Sequence, residues 1–126
     1  MVVQIESIER IEIVKLHEDC ALMKRFKDIH NRQIRLSSER QDHIEADHPE
    51  MSGQIDKIQD TLASPDVIVK SRTDPDVELF YQHYNTTPVT EKYLCVVVKV
   101  LASDLFIITA YFTDTIKKGI ILWKKK

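Results

Sequence analysis

Eight residues, His43-Ile44-Glu45-Ala46-Asp47-His48-Pro49-Glu50, set two imidazoles among three carboxylates and include a proline that no helix passes through undisturbed. An imidazole takes up or releases a proton near neutral pH, so this pair is the chain's first candidate for acid–base work. A second stretch, Leu105-Phe106-Ile107-Ile108-Thr109-Ala110-Tyr111-Phe112-Thr113-Asp114, reads as a strand with hydroxyl groups on one side. Strict alternation puts Phe106, Ile108, Ala110 and Phe112 on its apolar face, and Ile107, Thr109, Tyr111 and Thr113 on the other. In the preceding run Leu94, Val96, Val98 and Val100 form the apolar set, with Tyr93, Cys95, Val97 and Lys99 opposite. Lys99, Thr109 and Tyr111 then share one open face: a cation, a hydroxyl and a phenol within reach of a common ligand.

Each of these residues also has a plainer reading. His48, ahead of Pro49, can simply close its helix, and His43 can be an exposed residue paired with Asp47. Mixed polar side chains are what any solvated sheet surface shows. His43 and His48 are five residues apart and do not share a helical face as the histidines of HExxH do, so no metal is expected. No Gly-rich phosphate loop, GxSxG elbow or Cys/His triad occurs, and no cofactor is expected either.

Positioning these groups falls to elements that the spacing outlines. Around residues 11–16 the pattern fits a short strand, and Leu22, Phe26 and Ile29 fall at helical spacing behind Asp19. Arg32-Gln33-Ile34-Arg35-Leu36 alternates, and Ser38-Glu39-Arg40-Gln41 has the form of a capping box that starts a helix. Ser52 can cap a second helix with Ile55, Ile58 and Leu62 as its apolar stripe, stopped at Pro65. The period then changes to alternation over residues 67–70, 78–84, 93–101 and 105–112, with turns between them, and 120–123 can add a last strand. Helices first and an antiparallel meander second predict an α+β domain with one sheet face covered.

A chain of 126 residues with 43% apolar residues fits a single domain around one core, residues 1–31 forming an N-terminal extension of it. No apolar run is long enough for a membrane span, the first six residues lack the basic start of a signal peptide, and a cytoplasmic setting is expected. Cys20 and Cys95 lack metal or redox spacing; reduced thiols are expected, with Cys95 in the core. The net charge of −2 argues against non-specific coating of nucleic acid, but it averages two unlike regions. Residues 39–78 hold four Lys/Arg against eleven Asp/Glu, and residues 90–126 hold seven against three. The lysines at 117, 118 and 124–126 suit phosphates, or serve as a solvated tail.

The helix into His48-Pro49-Glu50-Met51, the Leu62-Ala63-Ser64-Pro65-Asp66 stop, the strand Lys92-Tyr93-Leu94-Cys95-Val96-Val97-Val98-Lys99, the Thr109-Ala110-Tyr111 strand and the closing Lys118-Gly119-Ile120-Ile121-Leu122-Trp123 together resemble the phage-type barnase-EndoU-colicin-RelE-like nuclease domains. The likeness spans about three quarters of the chain, so a nuclease-like core over residues 32–124 is expected. It implies a RelE/barnase-like fold, with N-terminal helices packed on a four- to five-stranded antiparallel sheet. The implied activity is metal-independent endoribonuclease cleavage of RNA, tRNA included, by attack of the 2′-hydroxyl, in a toxin-like setting with an inhibitory protein partner. By the same likeness His43 and His48 would be the acid–base pair, and Lys99 and Arg72 the phosphate-stabilising cations. Thr109 and Tyr111 would be hydroxyl donors, and Tyr81 a ring on which a base stacks. The acidic neighbours Asp42, Glu45, Asp47 and Glu50 oppose an RNA backbone. The alternative is therefore a catalytically inactive relative that acts as a protein interaction module, using an unprotected sheet edge. The oligomeric state is left open.

Overall fold

The computed structural model describes residues 23–126. They form strand β1 (Met23–Lys27), β2 (Gln33–Ser37), helix α1 (Ser38–Asp47), a 3-10 turn (Pro49–Met51), helix α2 (Ile55–Ala63), β3 (Val67–Lys70), β4 (Val77–Tyr84), β5 (Lys92–Val100), β6 (Leu105–Thr113) and β7 (Ile120–Lys124). All seven strands join one sheet in the order β1-β2-β6-β5-β4-β3-β7. Every pairing is antiparallel except β2 with β6, which run parallel and meet at Arg35 and Phe106.

This sheet overturns the expected four- to five-stranded antiparallel sheet beneath N-terminal helices. Its seven strands are mixed in direction, and only two α-helices lie between β2 and β3. The divergence starts at the described N-terminus. Phe26, placed by helical spacing on a first helix, is instead the one buried residue of strand β1, flanked by exposed Arg25 and Lys27. The turn that follows explains why: the Asp28 carboxylate accepts the N–H groups of His30 and Arg32 at 3.0 and 2.8 Å, and Asn31 takes a positive φ of 66°. An Asx-type turn of this kind reverses the chain into β2, and the hairpin wins over a helix. Residues 23–27 are thus a strand of the sheet, and residues 28–31 belong to the turn into β2. The strand expected near residues 11–16 and Cys20 lie outside the described residues.

Caps fall close to their expected places. Ser37, one residue before the anticipated Ser38, accepts the N–H of Arg40 on its hydroxyl at 3.1 Å and starts α1. Gln54, in place of Ser52, precedes α2, and Ser52 ends the 3-10 turn. One face of the sheet carries Ile34, Leu36, Ile68, Phe80, Leu94, Val96, Val98 and Ile107 against Ile44, Met51, Ile58 and Leu62. Full burial of each such side chain contributes roughly 1.5–3 kcal/mol, which makes this face the main source of stability. The other face has a smaller buried set, Val67, Val69, Val77, Leu79, Tyr81 and Cys95. Among the described residues no helix is long and apolar enough to cross a membrane.

Candidate functional site

Strict alternation along β6 fails at one point. The register between β5 and β6 shifts between Val97, opposite Thr109, and Val98, opposite Ile107, so Ile108 is the extra residue of a β-bulge. On the helix-covered face Leu105 and Ile107 therefore replace the anticipated Phe106 and Ile108. Phe106 turns to the other face, where the Arg35 guanidinium lies 4.9 Å from its ring centre. Beyond the bulge the phase is as expected: Thr109 and Tyr111 point away from the helices, opposite Val97 and Cys95.

Thr109 and Tyr111 form one wall of a crevice of about 470 Å³ on that face, with Ser71, Arg72, Lys117 and Lys118 around them. Arg72, Lys117 and Lys118 make no salt bridge among the described residues, which leaves the crevice strongly cationic. The Lys117 ammonium is also 6.0 Å from the Tyr111 ring centre. Asp74 is the acidic member of the wall, and it is occupied: the Lys99 ammonium donates to it at 2.8 Å. That bond holds the Asp74 carboxyl below its usual range and raises the Lys99 ammonium above its own. Lys99 thus comes to the rim of the crevice already paired.

Tyr81 differs from expectation. Its ring is fully buried, so no base can stack on it, and its hydroxyl accepts the backbone N–H of Lys117 at 3.0 Å. In place of a stacking role it anchors the segment from β6 to β7 over the open face. Tyr81, Cys95 and Tyr111 are cross-strand neighbours in one row. Burial pushes the Cys95 thiol up to about 11 and holds both phenols well above their usual range, so all three stay protonated at neutral pH.

The two histidines separate. Since β2 meets β6 only near Phe106, α1 and the 3-10 turn pack along the remaining outer edge of β6. There the backbone N–H of His48 closes α1 by donating to the Ile44 carbonyl at 2.7 Å, while its ring centre lies 5.5 Å from that of Tyr111. The helix-closing reading of His48 is met by its main chain, and its ring is left to meet Tyr111. The Glu50 carboxylate stands 3.9 Å from His48 Nδ1, an electrostatic approach longer than a hydrogen bond. His43, 63% exposed, comes within 4.0 Å of Glu39 on the same helix, and neither His43 nor His48 lines the crevice, which His48 approaches only through Tyr111. Among the described residues no three His, Cys, Asp or Glu side chains gather as a metal-binding group.

Sequence reasoning missed Lys117, Lys118 and Ser71 as crevice residues. The lysine doublet was visible as a basic stretch, but only the bond from Lys117 N–H to Tyr81 fixes it over β4. The arrangement can bind an anion between Arg72 and the two lysines, supply hydroxyl donors from Thr109 and Tyr111, and bring an imidazole to the Tyr111 side. No protein-family model, curated protein sequence or solved structure matches this chain.

Proposed function

We propose that this domain binds RNA through the cationic crevice and cleaves it without a metal, in a cytoplasmic setting. The observation that carries the reading is Tyr111 itself, whose ring centre lies 5.5 Å from that of His48 and which also lines the crevice of Arg72, Lys117 and Lys118. In the reaction the ribose 2′-oxygen forms a bond to phosphorus, and His48 takes its proton. The bond from phosphorus to the 5′-oxygen breaks, and that oxygen receives a proton from the Tyr111 phenol, which burial keeps protonated. A 2′,3′-cyclic phosphate and a 5′-hydroxyl result. Arg72, Lys117 and Lys118 offset the charge that builds on the phosphorane oxygens, with Thr109 as a further hydroxyl donor.

Two features support a second reading, an RNA-binding relative without catalysis. Lys99 is held by Asp74, and only one imidazole stands beside Tyr111. End-labelled RNA incubated with the protein in EDTA separates the two readings. Cleavage giving cyclic phosphate ends, reduced roughly 10²–10⁴-fold by His48→Ala, is the expected result. Binding that Arg72→Ala weakens, with no product at any pH, would leave the silent relative. Neither binding nor product would overturn both readings.

A further inference from the structure

The outer sheet edge opposite β1 presents a different chemistry from the crevice. On β1 the exposed residues are charged, Lys24, Arg25 and Lys27, which is how sheet edges are ordinarily kept from pairing with other chains. On β7 the consecutive residues Ile120, Ile121 and Leu122 are 65%, 57% and 45% exposed, and no strand among the described residues pairs with their outer side. Beside them a groove of about 310 Å³ has an apolar floor of Val67, Val69, Ile116 and Ile121, with Lys118 and Lys124 at its rim. We propose that β7 is a docking edge for an extended acidic segment of another protein. That segment adds as an eighth strand, sets an apolar side chain into the groove and pairs carboxylates with the flanking lysines.

Charge selects this occupant over a second copy of the chain. Antiparallel pairing of two β7 strands centred on Ile121 would bring Lys118 of each opposite Lys124 of the other, a like-charge contact at both ends. The register shift between Ile68 and Val69 leaves Leu122 as the extra residue of β7, a local twist that further hinders flat self-pairing. An acidic strand meets attraction where a copy meets repulsion. The groove shares Lys118 with the crevice, but Ile121 and Lys124, the two positions substituted below, lie outside the crevice, so their loss of peptide binding is distinguishable from a loss of RNA cleavage.

The test uses the full chain with a fluorescent ten-residue peptide alternating Glu and Val, its Lys/Val counterpart, and a uridine oligonucleotide. Saturable anisotropy with the Glu/Val peptide alone, together with amide shifts centred on β7, is the expected result. Lys124→Glu and the strand-compatible Ile121→Thr, each folded by circular dichroism, should weaken it by roughly tenfold or more. Equal binding of the Lys/Val peptide, no binding of either peptide, or indifference to both substitutions would overturn the proposal. A dimer that Ile121→Thr dissociates would assign the edge to a second copy, and shifts on β7 caused by the oligonucleotide alone would assign it to nucleic acid; either outcome overturns the proposal.

Discussion

The two faces of this one sheet are built to different standards. The face under α1 and α2 is closed by large apolar side chains such as Phe80, Leu62 and Ile34, each essentially inaccessible to water. The opposite face buries a small row around Tyr81 and Cys95, then gives way to a crevice lined with cations and hydroxyls. The contrast shows a division of labour: stability comes from the covered face, and the other can carry cations that find no salt-bridge partner among the described residues, because little packing depends on it.

Substitution should expose that division most strongly at the core. Phe80→Ala is expected to cost roughly 3–5 kcal/mol in urea unfolding, whereas Thr109→Ala on the crevice wall should stay within about 1 kcal/mol. Comparable losses at the two positions would break the comparison. A smaller effect is expected where the open face is assembled. A Cβ on Gly119 would collide with the Lys70 carbonyl and stand 2.7 Å from a Val69 methyl carbon, so Gly119→Ala should push β7 off β3 at a cost of about 1–3 kcal/mol. Chemical access gives a sharper, non-thermodynamic check. In a Cys20→Ser background, Cys95 should resist iodoacetamide at pH 8 in the native protein and react once urea unfolds it, since its thiol is buried and pushed up to about 11.

The smallest effect concerns pH. Asp74 is held below its ordinary value by the Lys99 bond, so its contribution is present above about pH 4 and is lost as pH falls through the lowered folded value. Asp74→Asn should therefore flatten the acid side of the stability profile slightly, by an amount typical of exposed ion pairs. Urea midpoints measured between pH 6 and 2 would reveal it. The same substitution frees Lys99 for the crevice, and under the proposed function it should tighten RNA binding rather than weaken it.

Much of the meander was legible because alternation is robust where one face is buried: β3, β4, β5 and β6 fall within a residue or so of the spans read from the sequence. The placement of Thr109 and Tyr111 on one face followed from the same pattern. Three things were hidden. A bulge at Ile108 leaves no local mark in Leu105-Phe106-Ile107-Ile108, where all four residues are apolar and either phase is plausible. The β1 hairpin depended on a turn built by Asp28, and the spacing of Leu22, Phe26 and Ile29 imitated a helix. The burial of Tyr81 required knowing that the segment after β6 folds back across β4, a tertiary event with no signature in the residues around Tyr81 itself.

The parallel junction between β2 and β6 carries a kinetic consequence. Arg35 donates two hydrogen bonds to Asp104, 69 positions along the chain, so the seam can close only after a long loop has been brought together. The β4-β5-β6 ribbon needs only short reversals and is expected to assemble first, with the hairpin of β1 and β2 joining it late. Amide exchange should follow the same hierarchy, with residues 23–37 surrendering their protons ahead of the central ribbon.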